Sequence, residues 1–390
     1  MIFSKTEYLS RLAKVKKSMH QKKMDVIILT DPSNMNYLTG YDGWSFYVPQ
    51  GIIVSLDMDE PIWFGRRQDS KGAKVTTYLQ DKNIIYYSED LIQSPPTHPY
   101  DFVVSYIYEN NWANKNIGVE MDAYFYTAEN HYRLTSTCPN VNFSDATLLV
   151  NWIRLIKSEN EINYMKEGAK LVQAGMKTAY ENIKPGVKQS YVAGKIQNSL
   201  IGGNEEINIG GEYAGLTTIL ASGVSASASH LTPKDNLFNN NEGTIIELAG
   251  VKNRYHCPLS RTVYCGEPDS KTSDTMKITN EGVEKAISVT KPGNTANDVA
   301  VAFWSVLEKY GIEKDSRLGY AIGVGYPPDW GEHTMSIRKN DMTVLQPNVT
   351  FHMIAGMWMD TWGLEVSESI NVTENGCELL CNLSRELHLV

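Results

Sequence analysis

The chain has 390 residues, 42% of them hydrophobic and 21% charged, the make-up of a soluble globular protein with room for two domains. A formal net charge of -9 argues against nucleic acid or an anionic membrane surface as the main partner, because both need a basic footprint. No run of roughly 18 apolar residues occurs, so no transmembrane helix is expected.

The opening segment, MIFSKTEYLSRLAKVKKSM, lacks an apolar core followed by a small-residue cleavage site and does not read as a signal peptide. Five cysteines, at positions 138, 257, 265, 377 and 381, are widely spread, which fits buried thiols in a reducing cytoplasm. A helix is predicted over residues 6–22, with Tyr8, Leu12, Val15 and Met19 on one face. Residues 25–29 read as a buried strand, and residues 36–40 as a short segment ending at a glycine turn. Residues 52–54, 61–64 and 117–120 read as further strands. Alternating strand and helix signals predict an α/β layer. Residues 148–158 then bridge to a second block. There Ser158 caps a helix over residues 159–183, with Glu161 at the capping-box position. Ile162, Met165, Ala169, Val172 and Met176 line that helix, and Lys184-Pro185-Gly186 ends it. Lys291-Pro292-Gly293 ends a later helix over residues 275–289, and Asn239-Asn240-Asn241 reads as a loop tip.

Residues 243–262, GTIIELAGVKNRYHCPLSRT, are the most informative stretch. They resemble the central strand pair of the pita-bread hydrolases, the group of methionine aminopeptidases, prolidases and creatinase. The resemblance implies an α/β (α+β) protein: a creatinase-like N-terminal α/β domain over residues 1–150 and a pita-bread catalytic domain over residues 151–390. Metal-dependent members place one aspartate at the strand centre and another eleven residues on. Here those positions hold Glu247 and Pro258, and proline has no side-chain donor atom. The family's histidine falls on Tyr320, and its two later glutamates fall on Ile354 and Ser367. One remaining carboxylate cannot hold two metals, so no metal and no cofactor is expected.

Six runs carry a narrower resemblance: WSFYV from Trp44, WFGRRQD from Trp63, SHLT from Ser229, RYHCPLSRT from Arg254, YPPDWGE from Tyr326 and WMDTWGLE from Trp358. Together they span most of the chain and are similar to the ectoine hydrolases. Those enzymes open the cyclic amidine of a compatible solute to N-acetylated 2,4-diaminobutyrates. The resemblance implies a small-molecule substrate of that kind. It also implies a homodimer in which one subunit's N-terminal domain reaches over the other's catalytic domain.

The reaction needs a nucleophile at the amidine carbon and a proton for the leaving nitrogen. Glu247 sits in the apolar run Ile245-Ile246-Glu247-Leu248-Ala249, where a carboxylate is costly unless paired or functional. It is assigned either covalent attack or activation of water. His230 matches the superfamily's proton-shuttling histidine, a role that a near-neutral imidazole suits. His256 is a second candidate, either orienting Glu247 or packing. Trp44, Phe46, Trp330, Trp358 and Trp362 are candidates for a cage around the amidinium, with Tyr255 beside them in the RYHCPLSRT run. Arg66 or Arg67 is a candidate partner for the substrate carboxylate. Glu332, Glu365 and Glu368 are candidates for the ring nitrogens, and Glu365 shares the strand face of Ser367.

Two other readings stand beside this one. A creatinase-type amidinohydrolase is disfavoured because creatinase carries glutamates where Ser260 and Ile354 stand here. An inactive pita-bread module that binds proteins or peptides has no need of Glu247, His230 and an aromatic-rich pocket together.

Overall fold

The computed structural model describes residues 1–203 and 207–390. They form two compact units, Met1–Arg154 and Leu155–Val390. The sequence-based boundary at 150/151 falls inside a helix, Leu149–Arg154, that the first unit keeps whole.

The first unit carries helices α1 (Lys5–Gln21), α2 (Pro32–Thr39), α3 (Ser70–Thr76), α4 (Pro99–Glu109), α5 (Ala128–Thr137) and α6 (Leu149–Arg154). Its strands are β1 (Val26–Leu29), β2 (Gly51–Ser55), β3 (Ile62–Arg66), β4 (Ile84–Tyr87), β5 (Asn116–Val119) and β6 (Asn142–Asp145). They make one mixed sheet in the order β4-β3-β2-β1-β5-β6. Ser4 caps α1, its Oγ accepting from Glu7 N–H at 3.2 Å, and α1 buries Tyr8, Leu12, Val15 and Met19 as their spacing predicts. Sequence patterning gave α2 only as a short segment. Its start is set by the Asp31 carboxylate, which accepts from Ser33 N–H at 2.8 Å, and by Pro32 in the first turn. Its end is Gly40 in the left-handed region, with φ of 80°.

The second unit carries α7 (Glu159–Asn182), α8 (Gln189–Gly202), α9 (Ser270–Val289) and α10 (Ala296–Lys309). Its strands are β7 (Ile219–Ser222), β8 (Glu242–Lys252), β9 (Tyr255–Cys265), β10 (Gly319–Tyr326), β11 (Asp329–Ile337), β12 (Thr350–Trp358), β13 (Gly363–Val372), β14 (Cys377–Leu379) and β15 (His388–Leu389). The sheet runs β14-β13-β12-β10-β9-β8-β7, with β11 paired to β10 and β15 to β9. Ser158 and Glu161 form the predicted capping box at the start of α7. The two-part α/β expectation is borne out.

Strand parity sorts the side chains of this sheet. Ile246 and Leu248 of β8 and Cys257, Leu259 and Val263 of β9 pack on α7 and α8. Phe351, Met353, Ala355 and Met357 of β12 and Leu364, Val366 and Ile370 of β13 pack with α9 and α10. The alternate positions therefore face the other way. Helix α7 lies so close to β8 that a Cβ on Gly250 would stand 2.0 Å from the Gly168 carbonyl oxygen. Glycine at 250 is what lets helix backbone meet strand backbone there. No helix among the described residues is long and apolar enough to cross a membrane.

Candidate active site

The face turned away from the helices collects residues far apart in sequence. Glu247 pairs in register with Ser260, and Pro258 pairs with Ala249 on the same side. Tyr320 pairs with His352, Ile354 with Ser367, and Gly356 with Glu365. The positions that the resemblance assigns to metal ligands, Glu247, Pro258, Tyr320, Ile354 and Ser367, thus lie on one wall.

Glu247 is 2% exposed and has no hydrogen-bond or ion-pair partner among the described residues. Burial holds its proton far above the ordinary carboxylate range, and Glu365 and Asp329 add to the effect. Glu365 is also buried, and its Oε1 atom has no hydrogen-bond partner. Burial pushes Glu365 up to about 7, while the Ser260 hydroxyl and the Lys314 charge pull it back. Two carboxyl groups with elevated proton affinity on one wall make a site that favours a bound cation.

Around this pair runs a hydrogen-bonded chain. Ser260 N–H donates to Ser367 Oγ at 2.6 Å. Ser367 Oγ lies 2.7 Å from His352 Nε2, and His352 Nδ1 lies 3.1 Å from the Tyr320 hydroxyl. Trp330 Nε1–H donates to the same hydroxyl at 2.9 Å. Burial and the Arg261 charge press the His352 pKa down to about 3, so the ring is neutral. Burial also raises the Tyr320 phenol, with Glu247 as the leading charge against its ionisation. At the edge, Lys314 Nζ donates to the Gly356 carbonyl at 3.1 Å and lies 5.2 Å from the centre of the Trp358 ring. Burial lowers Lys314 to about 8, with Glu365 opposing that shift.

The structure places several sequence candidates elsewhere. His256 is fully buried, and both ring nitrogens are taken by backbone: Gly215 N–H donates to Nε2 at 2.8 Å, and Nδ1 stands 2.9 Å from the Arg254 carbonyl. Burial takes its pKa down to about 4; Nδ1 keeps its proton for the Arg254 carbonyl and Nε2 accepts from Gly215, so neither nitrogen is free to exchange a proton with a substrate. Tyr255 has the opposite parity to Glu247, faces α7, and donates its hydroxyl to Glu161 at 2.8 Å. Glu332 is fully buried against Lys157 Nζ at 2.7 Å, so its charge is already matched. Glu368 points to the helix side and pairs with Arg261 at 2.9 Å. His230 is exposed on the loop after β7 and lies 3.1 Å from the Ser229 hydroxyl, with no hydrogen bond to Glu247. Trp362 lines a separate small cavity with Gly243, Thr262, Tyr264 and Thr361.

Three further candidates belong to the first unit. Trp44 is 57% exposed, and Phe46 is buried with its ring 5.5 Å from that of Phe125. Arg66 is paired with Asp69 at 2.9 Å and with Glu89 at 3.5 Å, so its guanidinium is engaged within its own unit. Sequence reasoning missed His352 and Lys314. His352 has a findable signal, since it lies two residues before Ile354 and so shares its face. Lys314 has none, because it stands in the connection between α10 and β10.

The donor set does not fit a metal. Proline, isoleucine and serine stand at three ligand positions, the tyrosine at a fourth is tied to Trp330 and His352, and no group of three His, Cys, Asp or Glu among the described residues is arranged to hold an ion.

A pita-bread sheet with a buried, unpartnered carboxylate at its centre defines a hydrolase of the creatinase and prolidase class. The chain belongs to metallopeptidase family M24, whose model matches residues 163–374, and it carries a creatinase/prolidase N-terminal domain over residues 11–156. It is 43% identical to the ectoine hydrolase of Halomonas elongata over 99% of this chain and 98% of that one. It is 23% identical to an Xaa-Pro dipeptidase of Pyrococcus furiosus over 97% of this chain and 99% of that one. A prolidase from Thermococcus sibiricus superposes with a TM-score of 0.85 at 17% identity, covering 98% and 99% of the two chains, and this likeness speaks for the fold alone.

Proposed function

We propose that the chain is a metal-independent hydrolase that opens the cyclic amidine ring of ectoine, or of its hydroxylated form, to an N-acetyl-2,4-diaminobutyrate. One observation carries the reading: Glu247 is a buried carboxylate without a partner, beside a second carboxyl group of raised proton affinity. An uncompensated buried acid is costly, and an amidinium ring is the cation that relieves it. The 43% identity to an ectoine hydrolase supports the choice of ring.

The cation binds against Glu247 and Glu365 and displaces the proton they hold. Glu247 then either attacks the carbon between the two nitrogens or directs water onto it. Trp358 offers its ring to the delocalised cation. Lys314, at the edge of this wall, is the cation assigned to the substrate carboxylate, since Arg66 is already engaged by Asp69 and Glu89. Incubation with ectoine and, separately, creatine tests the reading. Acetyl-diaminobutyrate from ectoine is expected; urea from creatine, or no product from either, overturns it. Prolonged dialysis against a strong chelator is expected to leave the ectoine rate unchanged. Loss of activity that returns with manganese, zinc or iron overturns metal independence.

A further inference from the structure

Ring opening needs a proton donor, and with His256 locked to backbone and His230 on an exposed loop the question is which group on the Glu247 wall supplies it. The chain of hydrogen bonds under Glu247 has a definite direction. Ser367 Oγ already accepts from Ser260 N–H at 2.6 Å. His352 is neutral and carries one N–H. If that hydrogen sat on Nε2, Ser367 would accept twice, and its own hydroxyl proton would be stranded in a spot with no solvent exposure. An unmet buried donor costs about 1–3 kcal/mol. With the hydrogen on Nδ1, Ser367 donates to Nε2 and His352 donates to the Tyr320 oxygen. Trp330 Nε1–H donates to that oxygen as well, and indole has no other option. Both acceptor positions of the Tyr320 hydroxyl are then filled. Its own proton has no acceptor among the described residues and is turned out of the network, on a partly exposed side chain that shares its wall with Glu247 and has the Arg317 guanidinium 4.7 Å from its ring centre.

We infer that Tyr320 is the proton donor to the leaving ring nitrogen. This rests on the amidine hydrolysis proposed above. As the bond from the amidine carbon to that nitrogen breaks, the bonding pair stays on nitrogen and takes the phenolic proton. The tyrosinate is restored by one of the two protons of the water that is consumed. The other goes to the freed amine, which leaves as an ammonium group. His352 and Trp330 do not touch the substrate; they are positioning residues that aim the donor. They also supply two hydrogen bonds to the oxygen when it is briefly negative. Burial keeps the phenol protonated between turnovers.

The test uses Tyr320→Phe on two substrates. Ectoine has a nitrogen leaving group that must be protonated. 4-Nitrophenyl acetimidate has a similar cationic carbon but a phenolate leaving group that needs no proton. The variant is expected to lose at least about a hundredfold in kcat on ectoine and less than about threefold on the acetimidate, the pattern of a missing general acid. Equal losses on both, or none on ectoine, overturn the assignment. A wild-type chain that opens no cyclic amidine overturns the function and this role together. A wild-type chain that works while Tyr320→Phe works equally well overturns this role alone. Tyr320→3-fluorotyrosine keeps the size and the fold and makes the phenol more acidic. The alkaline limb of its kcat profile is expected to move to lower pH; an unmoved limb overturns the assignment.

Discussion

Glu120 in the first unit and Glu247 in the second are carboxylates on or just past a strand, 3% and 2% exposed. Glu120 accepts from Thr30 N–H at 2.7 Å, Asp31 N–H at 2.9 Å and Asn34 Nδ2 at 2.6 Å. It thereby ties the start of α2 to the end of β5. Burial and Asp31 still push it up to about 7, with those donors pulling it back. Glu247 has no such donors. Other buried glutamates of the second unit follow the first pattern: Glu332 has Lys157, Glu368 has Arg261, and Glu161 has Tyr255. Only a satisfied carboxylate is structural; an unsatisfied one at equal burial stores a demand that a ligand can meet.

The comparison breaks most readily at Glu247. Glu247→Gln keeps the volume and removes the charge, so the rate on ectoine is expected to fall at least about a hundredfold while the fold persists. Denaturant unfolding of the same variant is expected to show no loss of stability, because the amide is neutral like the protonated acid it replaces. A wild-type rate, or a collapse in stability, puts Glu247 in the same class as Glu120.

The pH dependence sharpens the contrast. Glu365 has its proton affinity raised from 4.5 to about 7 in the folded chain. The folded state binds that proton more tightly than the unfolded state does. Its contribution to stability is therefore full below pH 4.5 and is lost as pH rises through 7. The melting temperature of the ligand-free chain should fall across this window, and Glu365→Gln should flatten the fall, removing a pH-dependent contribution of about 3 kcal/mol. Substrate affinity should run the opposite way and strengthen as pH rises, since the cation must displace the proton. Isothermal titration at pH 6 and pH 8, in buffers of differing ionisation heat, reads that proton release directly. Equal affinities and no proton release count against the carboxyl pair as the cation site.

Glu120→Gln gives the smallest effect. Its amide nitrogen confronts a donor in place of accepting from it, and a loss of about 2 kcal/mol in stability is expected by urea unfolding. No measurable loss removes the distinction between the two carboxylates.

The sequence makes legible what lies close along the chain. The capping box at Ser158 and Glu161, the apolar stripe of α1 and the isolated acid in the run around Glu247 are all local patterns, and all are in the structure. Tyr255, His256 and Glu332 were drawn into the candidate site because they lie within distinctive runs. Parity turns Tyr255 to the helix side, and partners on remote segments absorb the other two. The Ser260–Ser367–His352–Tyr320 chain was invisible for the converse reason. Its members come from β9, β13, β12 and β10, and only the pairing register brings them together. The residues standing at the ligand positions could be read from the sequence, but the hydrogen bonds that tie Tyr320 and Ser367 to His352 could not.

The ion pair between Lys157 and Glu332 has a consequence for where this chain can be divided. Lys157 stands ahead of α7, yet its backbone N–H donates to the Asn348 carbonyl at 2.9 Å and its neighbour Ile156 bridges to Val349. Both members of the pair are fully shielded from solvent. The second compact unit therefore begins at the connector, not at the capped helix that looks like its natural start. A fragment opening at Leu155 carries its own counter-ion. One opening at Ser158 loses it, and breaking a pair so deeply buried is expected to lower stability by about 3–5 kcal/mol through removal of three residues of apparent linker.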